Sequence, residues 1–154
     1  MRLALYQPDI PQNTGTILRL AACLGVPVDV IGPAGFDMTD RALRRAGLDY
    51  LDHVAITRHQ TFDAFTAAIP GRLVLLSSHA DMAHHAFVYD AADTLVLGRE
   101  SAGVPDAVHM RADARIRIPM RDGLRSLNIA VAAALVLGEA LRQTGGFPGQ
   151  HGGG

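Results

Sequence analysis

Lysine is absent: all 14 basic side chains are arginine. That removes the flexible ammonium of a Schiff-base enzyme or a phosphate-binding loop, and leaves planar guanidinium forks suited to phosphates. Cysteine is nearly absent too. Cys23 stands alone, so an intramolecular disulfide is impossible and an oxidising compartment is not indicated. Within its apolar helical pattern Cys23 reads as a small core residue. The most apolar stretch, Leu127 to Leu137, is too short to span a bilayer and is interrupted by Asn128. The opening run Arg2-Leu3-Ala4-Leu5-Tyr6 reads as a strand, not a leader. A cytoplasmic protein with no membrane partner is the expectation. A net charge of −1 lacks the footprint of a protein that coats nucleic acid without selectivity. Any such contact must come from arginines gathered locally.

Familiar catalytic signatures are missing as well. There is no Gly-x-Gly-x-x-Gly, no Gly-Lys-Ser/Thr ending and no Gly-x-Ser-x-Gly elbow. His84 and His85 are adjacent, so they would not naturally face one ion, and no metal is expected.

What is present is alternation. Leu3–Tyr6, Val28–Ile31, Val54–Ile56, Leu73–Leu76, Leu95–Leu97 and Ile116–Ile118 read as short apolar strands. Between them, Ile17, Leu20, Ala21 and Leu24 make a helical stripe that stops at Gly25. Thr39–Ala46 and Thr61–Ala68 read as further helices, and Ser126–Arg142 as the longest, with Ser126 as its cap. Strands apolar on both faces, alternating with helices, predict an α/β domain: a mainly parallel sheet covered on both sides. A single domain over residues 1–144 is expected, and the glycine-rich residues 145–154 read as a disordered tail. The last helix is apolar nearly all round, and its second apolar face is best covered by another copy of the chain.

Three segments gather polar and glycine residues at strand ends, where open α/β sheets bind ligands. They are Asn13-Thr14-Gly15-Thr16-Ile17-Leu18-Arg19, Leu97-Gly98-Arg99-Glu100-Ser101-Ala102-Gly103, and Ile118-Pro119-Met120 leading to Ser126-Leu127-Asn128. Taken singly, each also reads as plain structure: a capping asparagine with a solvated arginine, a strand-to-helix turn, a loop before a capped helix. Glycines at 98 and 103 let backbone approach a ligand and leave N–H groups to bind it.

The ordered set Asn-x-Gly-x-x-x-Arg, Leu-Gly-x-Glu-x-x-Gly and Ile-Pro-Met…Ser-Leu-Asn resembles the three motifs of the SPOUT methyltransferases, SpoU branch. The likeness runs from Leu3 to about Leu141. It implies an α/β fold whose C-terminal part is threaded as a trefoil knot, which periodicity alone would never suggest. It also implies S-adenosylmethionine as cofactor, S-adenosylhomocysteine as product, and no metal. The cofactor would lie against Leu76, Ser77, Gly98, Glu100, Gly103, Ile118, Met120, Ser126 and Leu127. Arg19 is implied as the catalytic residue, with Asn13 positioning it or the ribose, and Glu100 holding the loop or the arginine network. The run Arg41 to Tyr50 resembles minimal members of the family that methylate the ribose 2′-hydroxyl of the tRNA wobble nucleotide. On that likeness Arg41, Arg44 and Arg45, joined by Arg121 and Arg125, would grip the anticodon stem-loop, and the enzyme would be a homodimer. Two other outcomes stay open at this point: methylation of another tRNA or ribosomal RNA position, and a silent cofactor- or RNA-binding module.

Overall fold

The computed structural model describes residues 1–45 and 49–149. Its strands are β1 (Arg2–Tyr6), β2 (Val28–Ile31), β3 (Ile56–His59), β4 (Leu73–Leu76), β5 (Met82–Ala83), β6 (Thr94–Leu97) and β7 (Ala114–Arg117). They form one sheet in the order β3-β2-β1-β6-β4-β7-β5, and every ladder between neighbours is parallel. The helices are α1 (Pro11–Leu24), α2 (Asp40–Arg45), α3 (Phe62–Ala68), α4 (Asp106–Arg111) and α5 (Ile129–Thr144). Among the described residues, no helix is long and apolar enough to cross a membrane.

Side chains alternate across each strand, so the sheet feeds two cores. Leu3, Leu5, Val28, Val30, Leu95 and Leu97 point to the face covered by α1 and α5. Ala4, Tyr6, Ile31, Leu73, Leu75 and Val96 point to the face covered by Phe65 of α3 and Val108 of α4. The long apolar helix presses small residues, Ala130, Ala133 and Ala140, into the first core. Leu127, Val131 and Leu135 are left 40%, 51% and 47% exposed along one side.

Several boundaries differ from the sequence reading. The third strand starts at Ile56, not Val54, because its register against β2 begins at Val28↔Ile56 while residues 51–53 take a 3-10 turn. The seventh ends at Arg117, which frees Ile118 to leave the sheet. The two-residue β5 and six-residue α4 were not anticipated. The last helix opens at Ile129: Asn128, not Ser126, is its cap, with Oδ1 accepting from the N–H groups of Ala130 at 2.9 Å and Val131 at 3.4 Å. Thr39 and Thr61 do cap the helices they precede, accepting from Ala42 and Ala64. The expected end of α2, Ala46 followed by Gly47, lies outside the described residues. Cys23 is exposed, not a core residue, because it falls on the outer side of α1. At the C-terminus, Gly145 closes α5 in a left-handed conformation, and Phe147 still packs against the core. Of the expected tail, residues 150–154 lie outside the described residues.

Candidate active site

The C-terminal ends of β4 and β6 open into a cavity of about 750 Å³. The segment that follows β7 and the start of α5 close it from the other side. Leu76, Ile118, Met120, Leu127, Ile129 and Ala132 give it apolar walls, while Ser77, Glu100 and Ser126 supply polar groups. Size and lining suit a small organic ligand with a few directed hydrogen bonds. Every cofactor residue named from the sequence lies on this wall: Leu76, Ser77, Gly98, Glu100, Gly103, Ile118, Met120, Ser126 and Leu127.

The loop after β6 is closed on itself. Arg99 N–H donates to Gly103 O at 3.0 Å and Gly103 N–H returns the bond to Arg99 O at 2.8 Å. The Gly103 amide, expected to be free for a ligand, is therefore spent within the loop. Its tightness explains the glycines: a Cβ on Gly98 would sit 2.9 Å from the carbonyl carbon of Gly103, and Gly103 itself has φ +65°.

At the mouth, Asn13 on α1 accepts a 3.0 Å hydrogen bond at Oδ1 from Nδ2 of Asn128. This bond ties the first motif to the third. Asn128 thus caps α5 and holds Asn13 with the same side chain. Arg19 is elsewhere. Six residues further along α1, it is turned about 240° from Asn13, so the two do not share a face. Its guanidinium lies 4.7 Å from the centre of the Tyr50 ring, with a long 3.4 Å hydrogen bond to the Tyr50 hydroxyl.

Beneath the rim, Asp9 meets the loop after β6. Its hydrogen bonds to Glu100 and to Ser101 hold the Asp9 carboxyl down to about 2, whereas burial and then the bond to Asp9 push Glu100 up. Glu100 therefore keeps its proton to higher pH than an exposed carboxyl, and Asp9 carries the charge.

Of the arginines expected to face RNA, Arg125 lines the cavity and Arg121 is exposed in the same loop. Arg41, Arg44 and Arg45 are exposed on α2, but Arg44 is paired with Asp52 at 2.7 Å. The cavity also includes residues the sequence reading missed: His79, Arg99, Asp106 and His109. Asp106 and His109 stand one turn apart on α4, a signal legible only once that short helix is recognised.

The chain matches the model of the SpoU rRNA Methylase family over residues 1–138. It belongs to the SpoU methylase family. A relative from Beijerinckia indica, named tRNA (cytidine(34)-2′-O)-methyltransferase, is 62% identical over 146 residues, 93% of this chain and 91% of its own. A solved structure described as giving structural insights into the 2-OH methylation of C/U34 on tRNA is 42% identical, with a TM-score of 0.87. It covers 92% of this chain and 94% of its own. The SpoU methyltransferase AviRb from Streptomyces viridochromogenes, solved with AdoMet, is 30% identical with a TM-score of 0.82, over 93% of this chain and 60% of its own. In this SpoU methylase, Asn13 of the first motif and residues of the second and third share one cavity, while Arg19, which ends the first motif, lies against Tyr50.

Proposed function

We propose that this SpoU methylase transfers the methyl group of S-adenosylmethionine to the ribose 2′-hydroxyl of the tRNA wobble nucleotide. The observation that carries the reading is the end-to-end likeness to relatives named for that reaction, over 91% of the Beijerinckia protein's own length.

The cavity fits the cofactor. Its apolar walls take a neutral adenine, and polar side chains at Ser77, Glu100 and Ser126 offer it directed hydrogen bonds. When bound, S-adenosylmethionine supplies a methyl already activated on a sulfonium, with S-adenosylhomocysteine as product. The chain's own residues must place the 2′-oxygen in line and dispose of its proton. Asn13, fixed by Asn128, is positioned to orient the ribose at the mouth. A guanidinium offers donors and no acceptor, so Arg19 serves as a donor that stabilises negative charge developing on the 2′-oxygen. Its stacking on Tyr50 is exposed and long-bonded, a resting place that bound RNA displaces. A neighbouring RNA phosphate is the group left to accept the proton. Arg41, Arg44, Arg45, Arg121 and Arg125 contact the backbone of the anticodon stem-loop.

The reading includes a homodimer built on the exposed Leu127, Val131 and Leu135 stripe, which concentrates arginines of both copies near each mouth. It also includes a cytoplasmic location, residues 1–144 acting as one domain, and a trefoil knot. The knot is supported by the path of residues 118–128, which leave β7 and return past the ends of β4 and β6 to share their cavity.

Incubation with labelled S-adenosylmethionine and bulk tRNA, followed by nucleotide mapping, tests the proposal. The expected result is a 2′-O-methyl mark at the wobble ribose. Transfer to another position or only to ribosomal RNA overturns the substrate, and cofactor binding without any transfer overturns the activity.

A further inference from the structure

We propose that Asp9 is a positioning residue for methyl transfer: it holds the loop Arg99–Ser101 at the cavity rim and ties it to the turn at Gly35 that leads into α2. The inference deepens the function proposed above and rests on it. Asp9 was passed over in the sequence because it stands between prolines, outside all three motifs.

Its contacts are unusually convergent. The Asp9 backbone N–H donates to Glu100 Oε2 at 3.4 Å. Ser101 Oγ donates to Asp9 Oδ2, and an Arg99 Nη approaches that same oxygen at 3.6 Å. One residue thus engages three consecutive positions of the cofactor loop. Its other carboxylate oxygen, Oδ1, is buried and has no hydrogen-bond partner among the described residues.

On its far side, Asp9 abuts the turn after β2. A Cβ on Gly35 would come within 2.8 Å of the Asp9 Cβ, and Gly35 N–H donates to Pro8 O at 2.8 Å. That turn runs directly into α2, which bears Arg41, Arg44 and Arg45. The segment carrying Asp9 is itself set at a defined angle: Gln7 takes φ +42°, a left-handed conformation that non-glycine residues seldom adopt, while its N–H is held by Ile31 O at 2.8 Å. The contacts place Asp9 between the cavity that takes the cofactor and the helix assigned to RNA.

Asp9→Asn keeps the shape and removes the charge; Asp9→Glu keeps the charge. Calorimetric binding of S-adenosylmethionine, steady-state kinetics on tRNA and thermal melting are measured for both and for the wild type. In Asp9→Asn, Kd and KM for the cofactor rise about 10-fold, the scale of a lost charge-assisted hydrogen bond. kcat at saturation changes less than about 3-fold, and Asp9→Glu recovers most of the affinity. The acid-side transition of cofactor binding moves to lower pH in Asp9→Asn, because Glu100, raised first by burial, loses the further push from the charged Asp9; Arg99 is the cation facing the pair. Wild-type affinity and an unmoved transition in folded Asp9→Asn overturn the inference, as does a lowered Tm with cofactor affinity intact. Wild-type protein that binds no S-adenosylmethionine overturns instead the function on which the inference rests.

Discussion

The cofactor cavity and the arginine-bearing surface differ in how finished they are. The cavity is assembled: its loop is closed by paired backbone bonds, Leu76, Ile118 and Ile129 of its wall pack against the core, and its mouth is pinned by the Asn13–Asn128 bond. The arginine surface is not. Arg19 rests on a tyrosine, Arg44 is neutralised by Asp52, and Arg41 and Arg45 project into solvent. A small rigid cofactor rewards a preformed pocket, since nothing need be ordered when it binds. A phosphate backbone is long and charged, and exposed guanidinium groups meet it at little desolvation cost. The difference predicts that substitutions on the two sides separate cleanly into cofactor effects and RNA effects.

The largest effect is expected at Arg19. Replacing it with alanine removes a donor aimed at developing charge, which costs about 100-fold or more in kcat. Because Arg19 lies off the cavity wall, S-adenosylmethionine binding should stay at the wild-type value in the same calorimetric assay. Near-normal turnover would sink its catalytic role; a parallel loss of cofactor affinity would break the division between the two regions.

Next comes the α2 surface. Each lost phosphate contact lowers the salt dependence of RNA binding by about 0.7 in log–log slope. Arg41→Ala and Arg45→Ala should each show that decrement in fluorescence-anisotropy titrations. Arg44→Ala should show less, because Arg44 must first leave Asp52. Equal slopes for the triple alanine variant and the wild type would remove α2 from the RNA interface. Identical decrements at all three positions would mean that the Asp52 pair does not persist in the complex.

The two regions were also unequally legible in the sequence. Part of the cavity wall could be named from the sequence because its motifs are local: each is a short run near one strand end, and the parallel fold brings strand ends together. Long-range relations were not legible. Nothing in the spacing says that β6 inserts between β1 and β4, that Asp9 meets Ser101 across 92 positions, or that Arg19 finds Tyr50. Short elements escaped for a related reason: β5 has two residues, and the six of α4 follow Pro105 with no side-chain cap such as Thr39 gives α2, so with α4 went Asp106 and His109. The exposed Cys23 shows the opposite error, a polar-side position read as core from its apolar neighbours.

The smallest effect tests the corrected cap. A serine three residues before an apolar helix is an ordinary capping signal, yet Ser126 and Leu127 precede the helix and line the cavity, and Asn128 does the capping. Asn128→Ala should cost about 1 kcal/mol of stability, a fall of roughly 2–4 °C in Tm for a chain of this size. Asn128→Asp should retain most of it, since a carboxylate accepts the same two N–H bonds and suits a helix N-terminus. Ser126→Ala should leave Tm unchanged and affect only cofactor affinity. Asn128→Asp separates the two jobs of that side chain: the cap survives, but the amide donor to Asn13 is gone, so Tm holds while turnover drops. If turnover holds as well, the Asn13–Asn128 bond is not what orients the ribose, and the preassembled mouth owes its shape to the closed loop alone.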